Sequence, residues 1–386
     1  MNKNLWRYAV CILLTFFATV FMVLVIQVML LQKFTGNVLS MTQIFRVVNL
    51  LKNHYNGEVD NQKLYDGALR GLVDSVGDPY TVYLDREEYK KLHDHTVGTF
   101  GGIGIVYTRK NDEYVVISAL ENNPGALAGI KSGDVILSVD DVPVKTLNMQ
   151  QVSNKIRGEE GTEVGMELRS KDGSVKKVRI VRRQIANKYV IGKLLPGTKI
   201  GYIRIAMFNE RTGADFAELY SKLEQEGMEA LLLDLRGNPG GVLRDGVRVA
   251  GMLVPKGPIV SVVYKDGSKI VEQSSLERVK YPLAVLIDNG TASASEIVAG
   301  AVKDTGAGKL FGEKSFGKGS VQSVYKLTSE TAVKITTAKY FTPSGTSIHN
   351  VGIEPDIKVE LPENAVEDVQ LKTAEKYLLE KLQNKK

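Results

Sequence analysis

Residues 312–327 read GEKSFGKGSVQSVYKL, and the stretch can be placed in two incompatible folds. A phosphate-cradling loop has a glycine, four residues, a glycine, a lysine and then serine or threonine. It opens a helix whose amino terminus holds the anion. Gly312, Gly317 and Lys318 fit that pattern, but Gly319 stands where the hydroxyl residue belongs. The continuation, GSVQSVYKL, alternates like a strand. The nucleotide-binding reading fails on both counts, and Lys318 needs other chemistry.

A partner for the lysine lies 25 residues upstream, in IDNGTASASEIVAGAVKD (287–304). An apolar strand ends at Asp288, a turn passes Asn289-Gly290, and a helix begins within TASASE and runs from about Ser293 to Asp304. A serine at such a junction is exposed at the end of a sheet, where unpaired helix amides and the helix dipole favour an oxyanion. The same Ser/Thr cluster would equally serve as an N-cap.

A nucleophilic serine needs a base, and the four histidines are His54, His93, His95 and His349. Only His349 falls in the α/β part of the chain. A neutral lysine can serve instead. Bringing a lysine from about 10.4 to near 7 costs about 4 kcal/mol, supplied mainly by desolvation. Gly317 and Gly319 allow the backbone to tuck Lys318 into such a pocket. Gln322 could orient the amine through its amide oxygen. That requires either a helical turn or, in a strand, a bend at Gly319.

Composition limits the remaining possibilities. The chain has 386 residues, 43% hydrophobic and 24% charged, as expected for two or three folded domains. The formal charge of +6 falls to +3 once Lys3, Arg7 and Lys33 of the acid-free first 35 residues are set aside. With both signs interspersed in the rest, no nucleic-acid footprint is left. Ala9–Leu31 is nearly continuously apolar. Its 23 residues make about 34 Å of helix, enough for a hydrocarbon core of roughly 30 Å. Lys3 and Arg7 precede it and no small-x-small cleavage site follows, so the expectation is an uncleaved anchor with a cytoplasmic amino terminus and an exported remainder. The single cysteine, Cys11, lies inside this segment. The exported part therefore has no disulfide, thiol nucleophile or cysteine metal site.

Helical spacing marks Met41–His54 and Asn61–Ser75, and GDPYTVYLD (77–85) follows as a turn. Between Gly98 and Arg183 the period drops to two, interrupted by one helical run, NMQQVSNKIRG. Strand-then-helix alternation begins after Lys188, with a hairpin turn at Asp266-Gly267. LLLDL and LAVLI are apolar on both faces, as in a sheet covered by helices. An amphipathic helix at Ala365–Leu382 ends the chain.

Taken together, these blocks resemble the carboxy-terminal processing peptidases, tail-specific serine proteases with a PDZ domain and a Ser/Lys dyad. The resemblance covers nearly the whole chain. It rests on GDPYTVYLD, NPGALAGIKSGDVILSVDDVPV, LLLDLRGNPGG, TASASEIVAGAVKD, GEKSFGKGSVQ and FTPSGTSI…GIEPDI, met in that order. It implies an α/β multi-domain chain: a membrane anchor (1–35), a helical region (36–96), a β-rich PDZ module (97–184) and a ClpP/crotonase-like α/β protease core with a C-terminal helix (185–386). By position it implies Ser293, rather than Ser295, as nucleophile, Lys318 as base and Gln322 as its orienter. The oxyanion hole would pair the Ala294 amide with that of Gly240 or Gly241. A plain strand-to-helix turn would want the same glycines.

Gly102-Ile103-Gly104-Ile105 is similar to the PDZ carboxylate-binding loop, with the peptide added as a strand beside the helix of Val152 and Ile156. A dinucleotide fingerprint fails there, since the third glycine is missing and no helix follows. Arg157, at the end of that helix, is a helix-end cation or a gating contact between the PDZ module and the protease core. The resulting expectation is a membrane-anchored extracytoplasmic endopeptidase without metal or cofactor. It acts on proteins with flexible apolar C-termini, and its terminal helices are candidate dimerisation elements. The rival reading is a PDZ scaffold that binds C-terminal peptides without cutting them.

Overall fold

The computed structural model describes residues 3–35, 38–110, 112–120, 122–186, 188–362 and 367–384. The chain packs as two units, Met1–Gly77 and Asp78–Lys386. In the first, helix Lys3–Thr35 contains the apolar run Val10–Met29, which is long enough to cross a membrane and is not buried inside the protein. Helices Val38–His54 and Asn61–Asp74 follow, matching the periodicity of the sequence. Asp60 caps the last of them by accepting from the amides of Gln62 (2.9 Å) and Lys63 (3.2 Å).

In the second unit the Asp85–Glu88 capping box starts helix Arg86–Val97, and Gly98 ends it in the left-handed conformation, φ 77°. A two-stranded ribbon, Thr99–Gly102 against Arg183–Ala186, then brackets the period-two region. Inside the bracket, strands Ile105–Lys110, Glu113–Ala119, Val135–Val139, Glu163–Arg169 and Val175–Val181 form one antiparallel sheet. Ile105–Lys110 lies at an edge. Helix Met149–Ile156 closes the module's core.

The α/β part is built on a sheet in the order Val190–Leu194, Ile200–Ile205, Ala230–Asp234, Leu283–Ile287, Lys309–Gly312 and Ile357–Lys358, parallel apart from its first pair. The two apolar runs singled out in the sequence are its buried central strands. Their side chains alternate between two cores, as period two requires. Leu231, Leu233, Val285 and Ile287 pack with Phe216, Val249 and Ile297 on one face. Leu232, Ala284 and Leu286 pack with Ala374 and Leu378 of the last helix on the other. That helix spans Val369–Gln383; its expected start at Ala365 lies outside the described residues. A second sheet, Val82–Leu84, Ala332–Phe341, Gly257–Tyr264 and Lys269–Ser274, carries Ser320–Lys326 as a further strand on Ala332–Phe341. The stretch after Lys318 is therefore a strand.

One buried ion network ties the central sheet to the last helix. Arg236 reaches Asp234 (2.7 Å) and Asp368 (2.8 Å), the cap of Val369–Gln383. Burial works against its charge, yet the bonds to Asp234 and Asp368 hold its pKa above the ordinary arginine value. Tyr202 donates to the same Asp234, and burial together with that carboxylate pushes the phenol up to about 12. Removing Arg236 leaves Asp234 buried without its cation. Arg236→Ala should therefore lower the unfolding free energy by roughly 3–5 kcal/mol. Lys199→Ala, which breaks an ion pair with Glu229 that is about half exposed, should cost under about 1 kcal/mol. Urea unfolding of the two variants measures the contrast, and equal losses would contradict it.

Candidate active site

Ser293 stands between strand Leu283–Ile287 and helix Ala294–Thr305, with φ 56° and ψ −117°. A residue with a side chain in this region costs on the order of 1–3 kcal/mol and persists only where its surroundings impose it. Ser293 is half-buried beyond the end of that strand. Ser293 lines a cavity of about 530 Å³ together with Lys318, Gln322, Gly240 and Gly241. Ser295 does not reach it, being fully buried with its hydroxyl donating to the Asn238 carbonyl at 3.1 Å.

The turn is held by Glu296, fully buried in the first turn of the helix. One of its oxygens accepts from the amides of Ser293 (2.8 Å) and Lys318 (2.9 Å). The other accepts from the Ser315 hydroxyl (2.6 Å) and the Gly317 amide (2.7 Å). Tyr340, equally buried, places its hydroxyl between the carbonyls of Ser293 and Lys318 and donates to them. The serine turn and the lysine loop are thus bound to each other through the amides on one side and the carbonyls on the other.

Gly317, at φ 91°, leaves no room for a side chain against the amides of Gly352 and Val351. This close approach carries Lys318 into the cavity, where its amine lies 4.8 Å from the centre of the Tyr80 ring. Burial, and next the positive charge of Lys334, hold its pKa below the ordinary lysine value, against the opposing pull of Glu296 and Asp78.

Gln322 lies in strand Ser320–Lys326, which excludes the helical-turn arrangement. The ladder is irregular between Val321 and Gln322, which is not the bend at Gly319 that the extended alternative required. Its amide nitrogen donates to Ser320 Oγ (2.9 Å) and Thr336 Oγ1 (3.3 Å).

The two candidate oxyanion glycines differ. The Gly240 amide donates to Asn238 Oδ1 at 2.9 Å, whereas no such bond ties the Gly241 amide among the described residues. A Cβ on Gly240 would stand 2.6 Å from both Ala292 O and Ser293 Cβ, so no side chain fits beside the serine. Ala294 opens the helix, buried directly behind Ser293.

His349 is not on the cavity wall; its backbone packs against Gly319, and its buried Nδ1 has no hydrogen-bond partner among the described residues. Glu296 carried a sequence signal, since S-x-x-E at a helix start is a capping-box pattern. Tyr80, Lys334 and Tyr340 carried none, because only the tertiary fold brings them to the lysine.

The predicted peptide-binding residues form a second group, away from this cavity. Gly102 ends the ribbon strand, Gly104 turns with φ 70°, and Ile105 begins the edge strand. Ile103, Val152 and Ile156 are buried in the module's core rather than open on a groove. Across the gap between strand and helix, the hydroxyls of Tyr107 and Ser153 meet at 2.9 Å. Arg157 follows the helix as an exposed residue. The helix-end carbonyls of Lys155 and Ile156 are instead taken by the buried Arg182, at 2.9 and 3.0 Å.

Residues 199–359 match peptidase family S41, residues 115–170 match the PDZ domain, and residues 30–88 match the N-terminal domain of the activating protease CtpB. The carboxy-terminal processing protease CtpA of Bacillus subtilis (strain 168) is 37% identical over 318 residues, covering 82% of this chain and 68% of that protein. A carboxy-terminal-processing protease of Bartonella bacilliformis is 37% identical over 318 residues, covering 78% and 71%. Among solved structures, the photosystem II D1 C-terminal processing protease is 31% identical with a TM-score of 0.50, covering 86% of this chain and 90% of that one. The chain belongs to the carboxy-terminal processing proteases, serine peptidases of family S41 with a PDZ domain.

Proposed function

We propose that this protein is a membrane-anchored, extracytoplasmic endopeptidase that cuts near the C-termini of protein substrates with a Ser293/Lys318 dyad. The observation that carries the reading is the cavity in which a strained serine and a desolvated lysine, from separate elements, come together. Neutral Lys318 takes the proton from the Ser293 hydroxyl as Oγ attacks the peptide carbonyl, and later returns it to the leaving amine. The Ala294 amide and that of Gly241, the less engaged of the two glycines, receive the oxyanion. Water then attacks the acyl-enzyme with Lys318 again as base. Gln322, its amide nitrogen already committed, keeps its oxygen for the amine.

In the same reading, the core is of the ClpP/crotonase-like kind, and the loop Gly102–Ile105 and the open edge of Ile105–Lys110 take the substrate's tail. Lys3 and Arg7 hold the amino terminus in the cytoplasm, with exposed Trp6 and Tyr8 at the interface. Ile44, Phe45 and Val47, exposed on Val38–His54, offer a surface for self-association. A PDZ scaffold without catalysis would have no use for a desolvated lysine beside a strained serine.

Incubation with a protein bearing an unstructured apolar tail tests the dyad. Ser293→Ala and Lys318→Ala should each abolish cleavage, and the double variant should be no worse, because one unit is already broken. Ser295→Ala should keep substantial activity. A dead Ser295→Ala beside an active Ser293→Ala would move the assignment to the other serine.

The pH profile provides a second test. Only the neutral amine accepts a proton, so activity should rise with pH through a lysine pKa lying below the usual value. Glu296 favours the charged form; Glu296→Gln should therefore lower kcat, through lost positioning, while moving the remaining limb to lower pH. His349→Ala should leave the profile nearly unchanged, and a loss of several orders of magnitude there would restore a Ser-His mechanism.

Arg157 is the proposed gating contact, and Arg182 already satisfies the helix end that Arg157 would otherwise serve. Arg157→Ala should slow turnover of tailed substrates without changing their peptide affinity. Turnover at the wild-type rate would leave the residue no role in gating.

A further inference from the structure

Among the described residues, those lining the cavity around Ser293 include two lysines and a histidine and no carboxylate, while Asp78 stands behind them, bonded to the Thr336 side chain. Lys318 has its place in the proposed dyad. The second lysine, Lys334, lies on strand Ala332–Phe341 directly opposite Val324, and Thr336 of the same strand lies opposite Gln322. Lys334 and Thr336 project to one face of the strand, about 7 Å apart along it. Thr336 accepts from the Gln322 amide, so Lys334 continues the row of site residues one step beyond Gln322.

Lys334 is half-buried and forms no ion pair among the described residues. Elsewhere in the chain a comparably covered lysine has its acid: Lys176 reaches Asp134 at 2.7 Å. An ammonium in a partly dry cleft beside a second amine needs a counter-charge to offset its desolvation, and Asp78, the carboxylate behind this strand row, is already engaged by Tyr80, Thr81 and Thr336. The natural occupant of that position is an anion brought by whatever fills the cavity.

We infer that Lys334 is a specificity-determining residue that seats a carboxylate of the substrate next to the scissile bond. The inference rests on the proposed peptidase reading of this cavity. In an unmodified polypeptide the available carboxylates are an Asp or Glu side chain and the chain's own C-terminus. Both have the chemistry Lys334 needs, and a substrate series separates them.

The full-length protein in detergent is given a peptide with a flexible apolar tail, and the cut is located by mass spectrometry. Matched peptides then carry Glu or Gln at each of the three residues on either side of the cut. A further pair differs only in a free or amidated C-terminus. At one of these positions the carboxylate should raise kcat/KM roughly tenfold or more, mainly through KM, as a hydrogen bond to a charged group allows. The position that responds identifies the carboxylate as a side chain or a terminus. Lys334→Gln should remove the preference, Lys334→Arg should keep it, and Lys334→Glu should turn it toward a lysine at the same position.

A wild-type ratio below about two at every position would overturn the inference without any variant having to fold. So would an undiminished ratio in Lys334→Gln, because a lysine acting only on the protonation of Lys318 changes both members of a pair alike. Cleavage of any peptide by Ser293→Ala would instead sink the assignment of the peptidase activity to this cavity, on which the inference stands.

Discussion

The site depends on one buried carboxylate. Glu296 is inaccessible to water and accepts four hydrogen bonds, two from the lysine loop's amides, one from Ser315 and one from the Ser293 amide. Burying an unpaired charge costs several kcal/mol, and hydrogen bonds to a charged group return roughly 1.5–3 kcal/mol each. Four of them make the arrangement stable and specify it at once, since any displacement of either loop strands a donor. The strained positive-φ conformation of Ser293 can persist because its amide is held there. Tyr340 does the matching work on the carbonyls of Ser293 and Lys318 without adding a charge.

The same carboxylate sets a conflict within the site. A negative charge near Lys318 favours the ammonium, as does Asp78, and the face of the Tyr80 ring attracts a cation as well. Burial and the charge of Lys334 act in the other direction and prevail. The site therefore builds its geometry with an acid and holds the lysine's pKa down by desolvating it and placing a second cation nearby. Lys334 opposes protonation of Lys318, and among the described residues it pairs with no acid itself.

Much of this was legible in the sequence, for identifiable reasons. The central strands were visible because burial on both faces demands unbroken runs such as LLLDL and LAVLI. The helix after Ser293 was visible because a strand, a turn and a small-residue run meet there. The strand after Lys318 was visible from alternation alone, and that excluded a phosphate loop. Gln322 was harder, because a β-bulge has no signature in GSVQS that separates it from a regular strand. Val152 and Ile156 were legible as one helix face, but apolar spacing cannot say whether that face closes a core or borders a groove. Tyr80 and Lys334 were not legible, since Tyr80 lies 238 residues before Lys318 and Lys334 reaches it only across a strand pair.

Arg157 and Arg182 illustrate that last difficulty. Local reasoning places a cation at a helix C-terminus to satisfy its carbonyls, and Arg157 stands there in the sequence. The structure gives that work to Arg182, whose guanidinium returns from the far end of the module to bond Lys155, Ile156, Thr162 and Glu163. A planar group with several fixed donors can satisfy several carbonyls from within a core, which a solvent-facing side chain cannot. Arg182 also immediately precedes the ribbon strand Arg183–Ala186 that leads into the protease part. The end of the helix beside the edge strand is therefore bonded to the residue that directly precedes the ribbon. That helix end is thus joined to the start of the ribbon by the side chain of one residue, while Arg157 stands exposed beyond it.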